Sequence, residues 1–238
     1  MLRLLFLSLT ISLAACSQKN TVKNTETIDK QPNVLEDTLE TFSITKATRE
    51  DFSKAIKNYQ DKIVEDTLNI VKKNGIIELP LPQPHYPSSV IFKDTLVENG
   101  EEDYREYRYL GHYPHLDLFV VTGTFWEYHE CYLVNKATGS KTVLWTQPKI
   151  SSTSEYLANL SLSYGMDGIP NGIQIWKFDK DEKKLSKYLE LDQQIWAPDD
   201  FVWETENTLL LKVVSVEKIW ESNGEVNEND YYYLRLKL

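Results

Sequence analysis

The chain has 238 residues, 41% of them apolar, which is enough for one sizeable core or two small ones. Its formal net charge of -10 argues against nucleic acid as a partner, since that binding is driven by Lys and Arg neutralising phosphates, and against a basic membrane-surface patch. With 14 Tyr and 6 Trp against only 9 Gly and 9 Pro, the composition favours strands and packed sheet faces over a helical bundle.

At the N-terminus, Arg3 and the free amine make a short positive region, and Leu4 to Leu13 form an apolar run too short to span a bilayer. Small residues Ala14 and Ala15 then precede Cys16. The stretch "LAAC" (13–16) resembles the lipobox of bacterial lipoproteins, a likeness confined to residues 1–16. That resemblance implies a signal peptide over 1–15, cleavage after Ala15, a diacylglyceryl group on the Cys16 sulfur and acylation of the new amino terminus. Two or three acyl chains hold firmly, because each buried CH₂ contributes about 0.8 kcal/mol. The covalent lipid on Cys16 is the only prosthetic group expected. It leaves Cys131 without a partner, so the fold is expected to stand without disulfides. Ser17 in place of Asp implies, by the same resemblance, the outer membrane, and the absence of an acidic cluster in "SQKNT" favours the periplasmic side over the cell surface.

Residues 16–45 carry the lipidated cysteine and a polar run with few large apolar groups, and read as a flexible tether. A helix is expected over 46–75: Thr48 and Asp51 form a capping box, and Phe52, Ala55, Ile56, Tyr59, Ile63, Leu68 and Val71 fall near one face. Lys72-Lys73-Asn74-Gly75 reads as its C-terminal cap. "LPLPQPHYP" (79–87), with four prolines, is an extended connector.

From 76 to 238 an antiparallel β domain is expected. "YLANLSLSYG" and "YYYLRLKL" alternate apolar and polar residues, and "LDLFVVTGTFW" and "TLLLKVVSV" are apolar on both faces, as central strands are. Turn residues at Asn135, Asp179 and Asn223 recur every 44 positions, with Asn223-Gly224 a hairpin signal and Asn99-Gly100 another. This spacing loosely resembles the four-stranded meander repeat of β-propellers. A sandwich or an open meander accounts for the same turns.

Several clusters carry chemistry-bearing side chains. "GHYPHLDLF" and "WEYHEC" bring His112, His115, Asp117, Glu127, His129, Glu130 and Cys131 into nearby sequence, which suits a transition metal held by His112, His115 and His129. Pro114 rules out a helical His pair, and a strand-end role is the plainer reading. Cys131 enters an apolar strand and reads as a small buried hydrophobe. Loop carboxylates abound (Glu98, Glu101, Glu102, Asp103, Asp179, Asp181, Glu182, Asp199, Asp200), and a pair facing across a cleft would suit glycoside hydrolysis. Trp196 and Trp203 flank "APDD", read as a loop, and are the tryptophans expected to bind a ligand.

These features together read as a membrane-anchored envelope lipoprotein that binds or scaffolds an envelope protein or a glycan. The alternatives are a lipid-anchored hydrolase using loop carboxylates or a His-based metal, and an inhibitor or immunity-type partner. Cys16→Ser is expected to move the protein from the membrane to the soluble fraction on cell fractionation, and retention in the membrane overturns the anchor.

Overall fold

The computed structural model describes residues 42–66, 68–82, 84, 87–96, 103–163 and 168–238. The lipobox with Cys16, the tether as far as residue 41, the Asn99-Gly100 turn, and Glu98, Glu101 and Glu102 lie outside the described residues.

The elements in order are β1 (Ser43–Ala47), α1 (Arg49–Asn58), β2 (Ile76–Pro80), β3 (Ser89–Lys93), β4 (Arg105–Tyr113), β5 (Leu118–Phe125), β6 (His129–Asn135), β7 (Lys141–Leu144), β8 (Lys149–Ile150), β9 (Tyr156–Ser161), β10 (Gly172–Asp179), β11 (Lys184–Asp192), β12 (Trp196–Thr205), β13 (Thr208–Ser215), α2 (Val216–Glu221) and β14 (Tyr232–Lys237). The described chain is mainly β and every strand pairing is antiparallel. Two sheets are meanders in chain order, β4-β5-β6-β7 and β8-β9-β10-β11. A third runs β12-β13-β14-β1, its last place filled by the N-terminal strand, and β2-β3 is a separate hairpin. The two sequences apolar on both faces are indeed the interior strands β5 and β13. No helix among the described residues is long and apolar enough to cross a membrane.

Packing orders these sheets as layers. Phe52 and Ala55 of α1 bury against Val202 and Leu210 on one face of the β12–β14 sheet. Its opposite face (Phe201, Trp203, Leu209, Leu211, Val213) packs on Ala158, Ile173 and Ile175 of the β8–β11 sheet. Leu157, Trp176 and Phe178 of that sheet then meet Val120, Cys131, Leu133 and Leu144 of the β4–β7 sheet. The outer face of the last sheet (Tyr109, Phe119, Val121, Val134) is covered by Ile77, Leu79 and Phe92 of the hairpin. The described stack is thus bounded by a helix on one side and a hairpin on the other, with three four-stranded sheets between. The repeat read from the turns holds for two of its members: Asn135 and Asp179 each accept backbone N–H groups in the turn before the fourth strand of their sheets.

Two boundaries differ from expectation. β1 begins inside the expected tether. It is a half-exposed edge strand, held by its ladder from Ser43↔Lys237 to Ala47↔Tyr233 and therefore invisible to a burial pattern. The helix keeps its capping box, with Thr48 Oγ1 and the Asp51 carboxylate each accepting the other's backbone N–H at 3.1 Å, but it ends at Asn58 instead of near residue 75. Beyond Tyr59 the chain leaves the sheet that α1 covers and crosses to the next layers as an extended strap. Val64 exchanges both backbone hydrogen bonds with His112 (2.9 and 3.0 Å), Ile63 packs in the central core and Ile70 under the hairpin, whereas Leu68 is exposed. Those tertiary contacts outweigh a helical periodicity that ran on beyond the helix.

Two of the Asn-Gly pairs, Asn74-Gly75 and Asn223-Gly224, exchange roles. Asn74-Gly75, expected to cap a helix, has two positive φ values (50° and 74°) and forms the tight turn in which Lys73 and Ile76 bond each other, leading into β2. Asn223-Gly224, expected to form a hairpin, instead ends α2, with the Gly224 N–H donating to Ile219 O. "LPLPQPHYP" likewise starts inside β2, with Pro80 paired to Ser89 and the Leu81 N–H donating to Ser88 O.

The strap lies directly on β4 at Gly111, whose φ is +135° and whose added Cβ would stand 2.4 Å from Val64 O. Gly111→Ala is expected to lift the strap and lower unfolding stability by about 1–3 kcal/mol in urea titration.

Candidate functional site

A concavity lies where the strap leaves α1. A cleft of about 460 Å³ opens between the exposed face of α1 (Asp51, Lys54, Asn58), the start of the strap (Tyr59, Gln60, Lys62), the β8 end (Ile150, Ser152) and the last residues of β12 (Trp203, Glu204, Thr205). That volume falls within the range of small-molecule sites.

Its floor is aromatic and fixed. Trp203 is buried in the interlayer core, and its Nε1–H donates to Lys149 O at 2.8 Å, which sets the ring plane. The Tyr59 hydroxyl accepts the Ile150 N–H at 3.1 Å, and burial, reinforced by the Asp61 charge, pushes its ionisation well above the usual phenol range. Lys62 anchors the strap wall by donating to Ser151 O (2.7 Å), Ser152 O (2.6 Å) and Ser154 Oγ (3.0 Å). Burial and then the nearby Lys180 lower its affinity for the proton.

The two carboxylates of the cleft already have partners. Arg235 grips Glu204 with both arms of its fork (2.7 and 2.9 Å) and stands 3.2 Å from the Asp51 carboxylate. Asp51 is held below the usual carboxylate range, first by the Thr48 backbone N–H. Asp51 therefore stays ionised at neutral pH and lacks the raised proton affinity of a general acid, while Glu204 is occupied by the two-armed pair with Arg235. By contrast, Lys54, Asn58 and Gln60 have no side-chain hydrogen bond or ion pair among the described residues. They put one unpaired cation and two unpaired amides on the rim, above an aromatic floor.

No family model matches this chain, and no curated protein or solved structure is significantly similar to it. The site therefore rests on its own geometry.

The residues singled out in the sequence separate. Trp203 reaches the cleft as part of its floor, but it is only 5% exposed, and Trp196 is 7% exposed. The expectation that both project from a loop is corrected. "APDD" lies within β12, paired to β13 through a bulge at Pro198/Asp200, and a strand between two packed layers buries its rings. The Trp196 carbonyl accepts from Asn171 Nδ2 (2.8 Å) and Gln193 Nε2 (2.6 Å). The exposed tryptophans are instead Trp126 and Trp220.

The three histidines do not converge. His112 pairs with Phe119 and His129 with Thr124, at opposite ends of β5, five residue steps or about 17 Å apart. His115 lies at the His112 end, in the short turn Pro114–Leu116. No group of three metal-binding side chains occurs among the described residues. Cys131 is fully buried, and burial pushes its thiol up to about 12. Of the loop carboxylates, Asp179 caps its turn, Asp199 pairs with Lys212 and Asp200 with Lys149. The cleft amides escaped the sequence reading because Asn58 and Gln60 carry no motif; only the early end of the helix places them on a rim.

Because Asp51 binds its proton more weakly in the folded state, its contribution is present above the unfolded value of 3.8 and lost as the pH falls through the folded one. Asp51→Asn is thus expected to unfold at a lower temperature than the parent at neutral pH, with the gap in thermal scans closing as the pH is taken below 3.8.

Proposed function

We propose that the chain is a lipid-anchored envelope module that binds, without turning over, a polar ligand such as a glycan unit in the cleft between α1 and β12, with the membrane attachment supplied by the acylated Cys16. The observation that carries this reading is the pairing of both cleft carboxylates with Arg235, which leaves Lys54, Asn58 and Gln60 as the open groups. Sugars are recognised by such a set: planar amides take hydroxyl pairs, an aromatic floor takes the C–H face of the ring, and a lysine favours an acidic substituent. A hydrolase needs one carboxyl that holds its proton and another free to attack, whereas Glu204 and Asp51 are both held by Arg235.

The test uses the full chain in detergent against a panel of neutral and acidic envelope oligosaccharides. Calorimetric binding is expected to at least one acidic member, falling about tenfold in Lys54→Ala or Asn58→Ala, about 1.4 kcal/mol, with melting unchanged. Release of new reducing ends from any member, or binding that ignores both substitutions, overturns the reading.

A further inference from the structure

The outer face of the β4–β7 sheet extends beyond the hairpin that covers it, and at the edge of that cover a box of rings gathers beside a carboxylate. On β6, Glu130 lies directly opposite Gly123 of β5. Tyr132 shares its strand face, and Tyr107 of β4 pairs with Gly123 from the other side. Gly123 is what lets the rings close over this spot, since a Cβ there would stand 2.9 Å from Phe125 Cε2 and 3.2 Å from Tyr107 Cε1. Tyr107 meets Phe125 edge-on (6.0 Å) and Tyr132 (6.0 Å), and Tyr128 stacks on Phe125 at 4.5 Å with an 8° interplanar angle. The Tyr132 hydroxyl donates to one Glu130 oxygen and fixes the carboxylate among the rings.

Ring faces beside an anion attract cations, and the inner end of this ladder already holds one. Lys141 Nζ lies 4.2 Å from the ring centre of Phe92, which in turn contacts Tyr107 (5.2 Å) and Tyr132 (5.3 Å). No lysine or arginine among the described residues lies over the outer rings, Phe125 and Tyr128. Arg105 shares this strand face, and its guanidinium is directed to Asp103 at 3.8 Å. Next to the box, Trp126 at the hairpin tip is 52% exposed and Tyr128 47%, with Glu127 between them.

We propose that this box binds an organic cation, the guanidinium or ammonium head of an Arg or Lys side chain on a partner polypeptide, with Glu130 opposing the charge and Tyr128, Phe125 and Tyr107 facing it. The polypeptide source follows from the exposed tip: Trp126 offers contact area for apolar neighbours of the basic residue that a free small amine would not use. The site lies on a different sheet from the cleft and stands independently of its ligand.

The test titrates the full chain in detergent with the peptide Ac-Leu-Arg-Leu-Arg-amide, its Gln counterpart and choline chloride, followed by calorimetry and by the aromatic NMR signals of Tyr128 and Phe125. The Arg peptide is expected to bind at least tenfold tighter than the Gln peptide, to weaken as salt is raised, and to shift those signals. Glu130→Gln keeps an acceptor for Tyr132 and Tyr128→Ala removes an exposed ring, so both are expected to keep the parent melting temperature while losing at least fivefold in affinity. Equal affinity for the two peptides, affinity indifferent to both substitutions, or tighter binding of choline than of the Arg peptide overturns the proposal.

Discussion

The strap between α1 and β2 is the connection on which the arrangement of the layers depends. Within a few residues it touches the leading strands of three sheets. Tyr59 closes the end of α1 against β12 and takes a hydrogen bond from β8, Lys62 holds the loop after β8, and Val64 pairs with the end of β4. Farther on, Lys72 donates to Tyr107 O and pairs with Asp94, which fixes where the hairpin sits. Extended chain suits this work better than helix, because its backbone groups remain free to pair sideways with whatever strand it passes. The cleft is a by-product of the same geometry: it is the gap left where the helix stops on one sheet and the strap departs for the next.

That economy explains which surfaces are available for recognition. The interior of each sheet is consumed by packing on both sides, so large rings such as Trp196 and Trp203 serve the core although they flank polar residues in sequence. Ring area becomes accessible where a layer outruns its cover, as at the β5–β6 tip, or where layers diverge, as beside α1. Charged groups follow the same logic. Carboxylates near the cleft and within β12 are engaged by Arg235, Lys212 or Lys149, and two of these pairs tie neighbouring layers, Lys149 of β8 to Asp200 of β12 and Arg235 of β14 to Asp51 of α1.

Much of the architecture was legible because it depends on local signals. The doubly apolar stretches became interior strands, the Thr48–Asp51 box started the helix, and Asn135 and Asp179 organised the turns they were expected to organise. The two Asn-Gly pairs show where legibility stops. The sequence specifies two consecutive residues that tolerate positive φ, and the same backbone serves a hairpin at Asn74 and a helix end at Asn223. Which one forms is decided by what lies on either side in space. β1 was missed because its stability comes from ladder bonds to a strand at the far end of the chain, and a window of sequence contains no trace of that. The ring box is of the same kind: Gly123, Glu130 and Tyr107 meet only through register across three strands.

The pairing of β1 with β14 also has a kinetic side. Ser43 meets Lys237, so β1 cannot join the β12–β14 sheet until β14 is in place. The closure is entropically modest for its length but strongly non-local, a combination that slows folding. Closing the β14 edge is therefore the step that ties the two ends of the described chain together.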